Sequence, residues 1–427
     1  MSEKSSGKKR SILKTIGPGL LFASSAIGTS HLVLSTRAGA HHGMIFFGII
    51  LLTLVLKYPF YEFGTRYSIA TKKTLISAYK EQGRLPLLLF FTIIAINMIA
   101  VNGAIAAVCA GLLSTTLGLN VSIPFLAAIV LAITVGILFL GNYAVLDNLI
   151  KLLSVVLLVS ISIAFFAVLI KGPVEQVADF TPPALFEGAG LALLVSLIGW
   201  MPAGMEASTM NSIWVVEKMK STKYHPTLKE GLFDFNLGFV FTTVLAFMFL
   251  TIGAYTVFGT GQLLAGNTTQ FSQKLLEVFT TNLGQWSYWV IAIAAFGTIY
   301  GTLITVLDAF TRSFVISLHE LINKPMSEAD KNKTLHRNYK ILLPIVGIGS
   351  FLLFYLSAAS MIKILEFATI LGFLTSPIIA FLNLRAITSD VVPKHLRPKT
   401  GLTYLAYIGL MAIVLFAVFY LYSLVEV

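Results

Sequence analysis

Positions 26 to 37 read Ala26-Ile27-Gly28-Thr29-Ser30-His31-Leu32-Val33-Leu34-Ser35-Thr36-Arg37. They fall inside an apolar run that starts near residue 17 and is long enough to cross a hydrocarbon core of about 30 Å as a helix. A helix in lipid has to satisfy its own backbone hydrogen bonds. A small, polar cluster at its midpoint is therefore either a close-packing face or a break that lines a cavity enclosed by protein. The rest of the chain decides between these readings.

Of the 427 residues, 56% are hydrophobic and 11% charged, against roughly 25% charged in soluble domains. Apolar runs of spanning length recur almost throughout. We expect an all-α polytopic membrane protein of about eleven transmembrane helices, near 17–37, 44–66, 86–117, 122–141, 146–170, 187–216, 231–258, 286–318, 340–357, 361–385 and 402–423. Residues 1–16 read as a tail. The basic group Lys8-Lys9-Arg10 precedes a first helix that we expect to be retained rather than cleaved. Lys72, Lys73, Lys80 and Arg84, then Lys218 to Lys229, Lys324 to Lys340 and Lys394 to Lys399 all fall on one side. This predicts a multi-pass cell-membrane protein with a cytoplasmic N-terminus and an outside C-terminus. The net charge of +11 then matches anionic membrane lipid as a partner, with no need for nucleic acid. The single cysteine, Cys109, excludes an intrachain disulfide and a cysteine-based metal site.

The sixth span carries a second unusual stretch, Trp200-Met201-Pro202-Ala203-Gly204-Met205-Glu206. Pro202 lacks a backbone donor and Gly204 tolerates non-helical angles. Spans one and six run in opposite directions and are five crossings apart. Paired interruptions in antiparallel halves point to a midplane substrate site in a secondary transporter. The organisation expected is an inverted five-plus-five repeat, 17–170 and 171–385, followed by an inner loop and eleventh span at 386–427. The polar connections 259–285 and 319–339 are too short to be domains, and the latter reads as an amphipathic or loop segment.

The run from Gly17 to Gly39, Gly-Pro-Gly-Leu-Leu-Phe-Ala-Ser-Ser-Ala-Ile-Gly-Thr-Ser-His-Leu-Val-Leu-Ser-Thr-Arg-Ala-Gly, resembles the opening helix of the Nramp (natural resistance-associated macrophage protein) family of divalent-metal transporters. The likeness continues in Lys57 to Thr71 and in Met201-Pro202. The resemblance implies the fold of sodium-coupled amino-acid transporters and transport of a divalent metal cation. Its usual ligands are replaced here. Gly28-Thr29-Ser30-His31 stands where the family has Asp-Pro-Gly-Asn, and Met201-Pro202-Ala203 where it has Met-Pro-His. A second family histidine falls at Ser208, and a tenth-span glutamine at Thr369. The third span offers Asn97 and Asn102 in place of acids, and Arg337, after His336, corresponds to a basic pair.

The substrate-binding candidates are Gly28, Thr29, Ser30, His31, Met201, Ala203, Glu206 and Thr369. His31, Glu206 and Arg337 are candidates for proton coupling. Met201, Glu206 and His31 are candidate metal ligands, with His31 and Glu206 forming a replacement pair, because a divalent ion needs an anionic ligand to offset its desolvation. On a continuous helix Ser24, Gly28, His31 and Ser35 share one polar face. Elsewhere Asp308 with Arg312 and Lys363 with Glu366 have ion-pair spacing. Lys57, Tyr58 and Glu62 read as gate or anchor residues, with Lys57 equally able to snorkel, and His41-His42 as an exposed pair. Two other readings stay open: a small organic solute whose carboxylate meets the amides at Gly28 to Ser30, and a non-transporting membrane sensor. No nucleophile and base, phosphate loop or hydrolase motif supports an enzyme, and no cofactor is implied.

Overall fold

The computed structural model describes residues 15–141, 144–262, 264, 268–322, 327–357 and 360–425. Most of the expected N-terminal tail lies outside them. Among the described residues all regular structure is helical. Eight helices are long and apolar enough to cross a membrane: Ile45–Thr71, Arg84–Leu117, Ile123–Leu140, Leu228–Thr256, Tyr288–Ile322, Glu328–Leu356, Met361–Thr388 and Thr400–Ser423. A ninth crossing is a pair bent by 45°, Pro18–Ala26 and Ser30–His42. The two remaining expected spans correspond to Ala144–Lys171 and to the interrupted pair Gly188–Trp200 and Ala207–Thr222.

The helix ends are written locally. Thr227 and Glu230 close a capping box at the start of the seventh span, and the Ser327 hydroxyl accepts from the Asp330 amide at the start of the ninth. That cap lies well before the expected boundary at 340, so residues 328–339 of the connection expected at 319–339, read as an amphipathic or loop segment, are helix. The first span also runs past its expected end at 37, to His42. Arg37 does not terminate it, because its guanidinium is buried and paired with Glu366 at 2.7 Å. Glu366 therefore pairs with the first span, and not with Lys363, which is exposed. The pair Asp308–Arg312 forms as spaced, at 2.7 Å. His42 is buried and His41 half-buried, contrary to the exposed pair expected. The connection 259–285 contains an amphipathic helix, Thr268–Leu283, which buries Phe271, Leu275, Leu276 and Phe279 on one face.

The two broken spans sit at the centre of the bundle. The first packs against the seventh and eighth, the first half of the sixth against the tenth, and the second half of the sixth against the second. Backbones approach closely where the first span meets the seventh. An added Cβ at Gly19, Gly39, Gly238 or Gly253 would overlap the facing main chain. Small residues at such crossings permit the contact that fixes both halves of the first span.

Candidate substrate site

The two breaks have different backbone chemistry. In the first span the helix stops at Ala26, the Gly28 amide donates back to the Ala26 carbonyl at 2.9 Å, and the chain restarts as a wide π-turn, Ser30–Ser35. A Cβ at Gly28 would meet the Thr302 hydroxyl at 2.6 Å. That hydroxyl lies 3.0 Å from the Ser24 carbonyl and 3.3 Å from that of Ile27. In the sixth span Met201 is extended and helix resumes at Ala207. Pro202 has no N–H for the Ile198 carbonyl, so the last turn of Gly188–Trp200 needs donors from elsewhere.

Lys57 supplies them. Its ammonium donates to the carbonyls of Ile198 at 3.0 Å, Gly199 at 2.9 Å and Ala203 at 3.2 Å. The residue is 2% exposed, so it does not snorkel. Tyr61 adds its hydroxyl to the Ala203 carbonyl.

Between the breaks lies a small cavity of about 40 Å³, room for one ion with water or a very small solute. The first span contributes Ser25, Ala26, Thr29 and Ser30, and the sixth contributes Trp200, Ala203, Gly204, Glu206 and Met210. Val101 and Ile105 of the third span and Thr302, Val306 and Phe310 of the eighth also line it. Glu206 is 4% exposed, and its carboxyl curls over Gly204, where a Cβ would collide with it. Three buried polar atoms of the lining residues lack a hydrogen-bond partner: Thr29 Oγ1, Trp200 Nε1 and Glu206 Oε2. An unpaired buried carboxylate oxygen is costly.

Of the candidates from sequence, Thr29, Ser30, Ala203 and Glu206 line this cavity. The others do not. His31 is fully buried, with Nδ1 2.9 Å from the Ala26 carbonyl and 2.8 Å from Ser30 Oγ, and Nε2 3.0 Å from the Thr242 carbonyl. It bridges the first span to the seventh, so the structure does not bring it together with Glu206. Met201 is buried in the core. The Thr369 hydroxyl donates within its own helix, to Leu365 or Glu366, while its carbonyl faces Gly199. Arg337 is exposed on Glu328–Leu356. Asn97 and Asn102 also lie off the cavity, the first donating to Thr375 and the second to Met98. Among the described residues no three of His, Cys, Asp and Glu cluster as a metal cage. Sequence reasoning missed Thr302, Met210 and the Lys57 cage. Lys57, with no acid at i±3 or i±4, was the available signal.

Two broken helices facing each other across a small cavity in a helical bundle define a membrane transporter of the inverted-repeat class. The fold agrees with the manganese transporter of Eremococcus coleocola, solved as a point mutant, at a TM-score of 0.71 and 13% identity over 95% of this chain and 85% of that one. It also resembles MhsT in complex with L-phenylalanine, with a TM-score of 0.55 and 15% identity over 94% and 98% of the two chains. An uncharacterized protein of Pasteurella multocida (strain Pm70) is 33% identical over 408 residues, 95% of this chain and 91% of that one. The model of the natural resistance-associated macrophage protein-like family matches residues 19–423. The chain belongs to the Nramp family. It is a multi-pass membrane transporter of a metal-ion transport family, and not an enzyme.

Proposed function

We propose that this chain moves a hard divalent metal cation, manganese or magnesium in character, by alternating access about the cavity between the broken first and sixth spans. The observation that carries this reading is Glu206 Oε2, a buried carboxylate oxygen without a protein partner on the wall of that cavity. On a wall that is otherwise mostly apolar, the other side-chain atoms able to meet a cation are the hydroxyls of Ser25, Thr29, Ser30 and Thr302 and the Met210 thioether. Carboxylate, hydroxyl and retained water suit magnesium and manganese better than softer ions. A single carboxylate favours a cargo carried partly hydrated. The same reading keeps the repeats at 17–170 and 171–385, and a cytoplasmic N-terminus with an outside C-terminus on the lysine and arginine asymmetry.

Flux into proteoliposomes tests it. Internal dyes for manganese and magnesium should report saturable uptake that Glu206→Gln abolishes. Uptake equal in the variant and the parent would sink the reading.

A second reading has one observation in its favour. The Thr29 hydroxyl, buried and unpaired on a residue of the cavity lining, can donate, which suits an acceptor atom on an organic solute. The likeness to MhsT, solved with L-phenylalanine, fits that version. Thermal stabilisation by a small amino acid, together with indifference to divalent ions, would favour it. Absence of any flux in folded protein, with no ligand found, would favour the non-transporting sensor.

A further inference from the structure

The three carbonyls gathered on Lys57 are the oxygen atoms that a broken helix normally offers to a cation. Ile198 and Gly199 belong to the last turn of Gly188–Trp200, whose carbonyls carry the negative end of the helix dipole. Ala203 adds a third from beyond the break. In transporters built on discontinuous helices, such half-helix C-terminal carbonyls coordinate coupling cations. Here an ammonium occupies that position, with three donors for three acceptors. The charge is compact and buried, and it is tethered to Ile45–Thr71, an uninterrupted helix. The Tyr61 ring flanks it at 5.7 Å. Glu206 lies on the far side of the break, and its Oε2 has no protein partner.

We infer that Lys57 is a built-in substitute for a monovalent coupling cation, filling a carbonyl cage beside the substrate cavity. The cage is satisfied by the chain itself, so neither sodium nor potassium has a site there. Removing the ammonium while leaving space should create one. This cage adjoins the Glu206 cavity and shares Ala203 with it. The inference rests on the proposed transport reading only for its functional meaning, and its structural content stands separately.

The test uses the full chain and three proteins: the parent, Lys57→Ala, which empties the space of the lysine side chain, and Lys57→Met, which fills it without charge. Unfolding temperature is followed against sodium, potassium and propylammonium, with choline as the control. The parent should be indifferent to all four. Lys57→Ala should be destabilised and should regain stability saturably with propylammonium, sodium or potassium, and not with choline. Lys57→Met should be destabilised without rescue. The inference is overturned by a folded Lys57→Ala protein that ignores every cation, or by Lys57→Met matching the parent. If neither variant folds, the parent alone decides: stabilisation or flux that needs sodium or potassium would overturn the inference. Loss of metal flux in every protein, with the cation-dependent stability of Lys57→Ala intact, would instead count against the proposed cargo.

Discussion

Asp234 holds the start of the first span, and releasing it should open one mouth of the transporter. The carboxylate accepts the Gly17 amide at 3.0 Å and the Gly19 amide at 2.7 Å, and Asp234 is 4% exposed. Pro18 between them has no amide, so the seventh span supplies an acceptor for both nearby N–H groups. Hydrogen bonds to a charged acceptor contribute about 1.5–3 kcal/mol each, and neutral ones about 0.5–1.5 kcal/mol. Asp234→Asn keeps the shape and one good acceptor, so about 2 kcal/mol of the anchoring should be lost. If Pro18–Ala26 must leave the seventh span to open that mouth, about 2 kcal/mol raises the minor open population about 30-fold. The assay is the rate at which an impermeant maleimide reaches Ser25→Cys, a cavity position on that half-helix. Cys109, the single native thiol, is fully buried and leaves a quiet background. The Asn variant should label about 30-fold faster from the face carrying the chain's start, and no faster from the other. An unchanged rate in folded protein would refute the idea that these two hydrogen bonds latch the half-helix.

Other perturbations probe separate contacts. Arg37 and Glu366 tie the far half of the first span to the tenth through a mostly buried pair. A double-mutant cycle with alanine should give a coupling of about 1–3 kcal/mol in unfolding free energy, and each single variant should speed labelling from the opposite face. Gly28→Val should destabilise by about 1–3 kcal/mol by overpacking, because its Cβ meets Thr302 Oγ1 at 2.6 Å and Cγ2 at 2.9 Å. Thr302→Ala in that background should recover most of the loss. If it recovers none, the strain lies elsewhere.

Much of this arrangement is legible from residue chemistry. Pro202 removes an amide that a helix needs, Gly28 removes a side chain, and their positions five spans apart force the reading of two facing breaks. Glu206 stands out as the one acid near either. Side-chain direction is what the sequence hides. One continuous helix from Ser24 to Ser35 would put His31 on the Glu206 face. The real chain bends by 45° and restarts as a π-turn, in which each residue turns less than in an α-helix, so the ring faces Thr242 instead. Met201 and Thr369 depart from expectation similarly: their side chains follow local packing, which periodicity does not encode. Lys57 is visible as a charge within an apolar run. Its partners are main-chain carbonyls some 140 residues away in sequence, and no pattern of side-chain types announces those.

Equilibrium binding of manganese and of magnesium to the purified parent and to Glu206→Gln, measured by dialysis at matched ionic strength, asks whether Glu206 holds the cargo. One saturable site per chain is expected in the parent, lost in Glu206→Gln and retained in His31→Gln and Met201→Leu. Undiminished binding in Glu206→Gln, or loss in His31→Gln with its fold intact, would contradict the assignment of the cavity as the metal site.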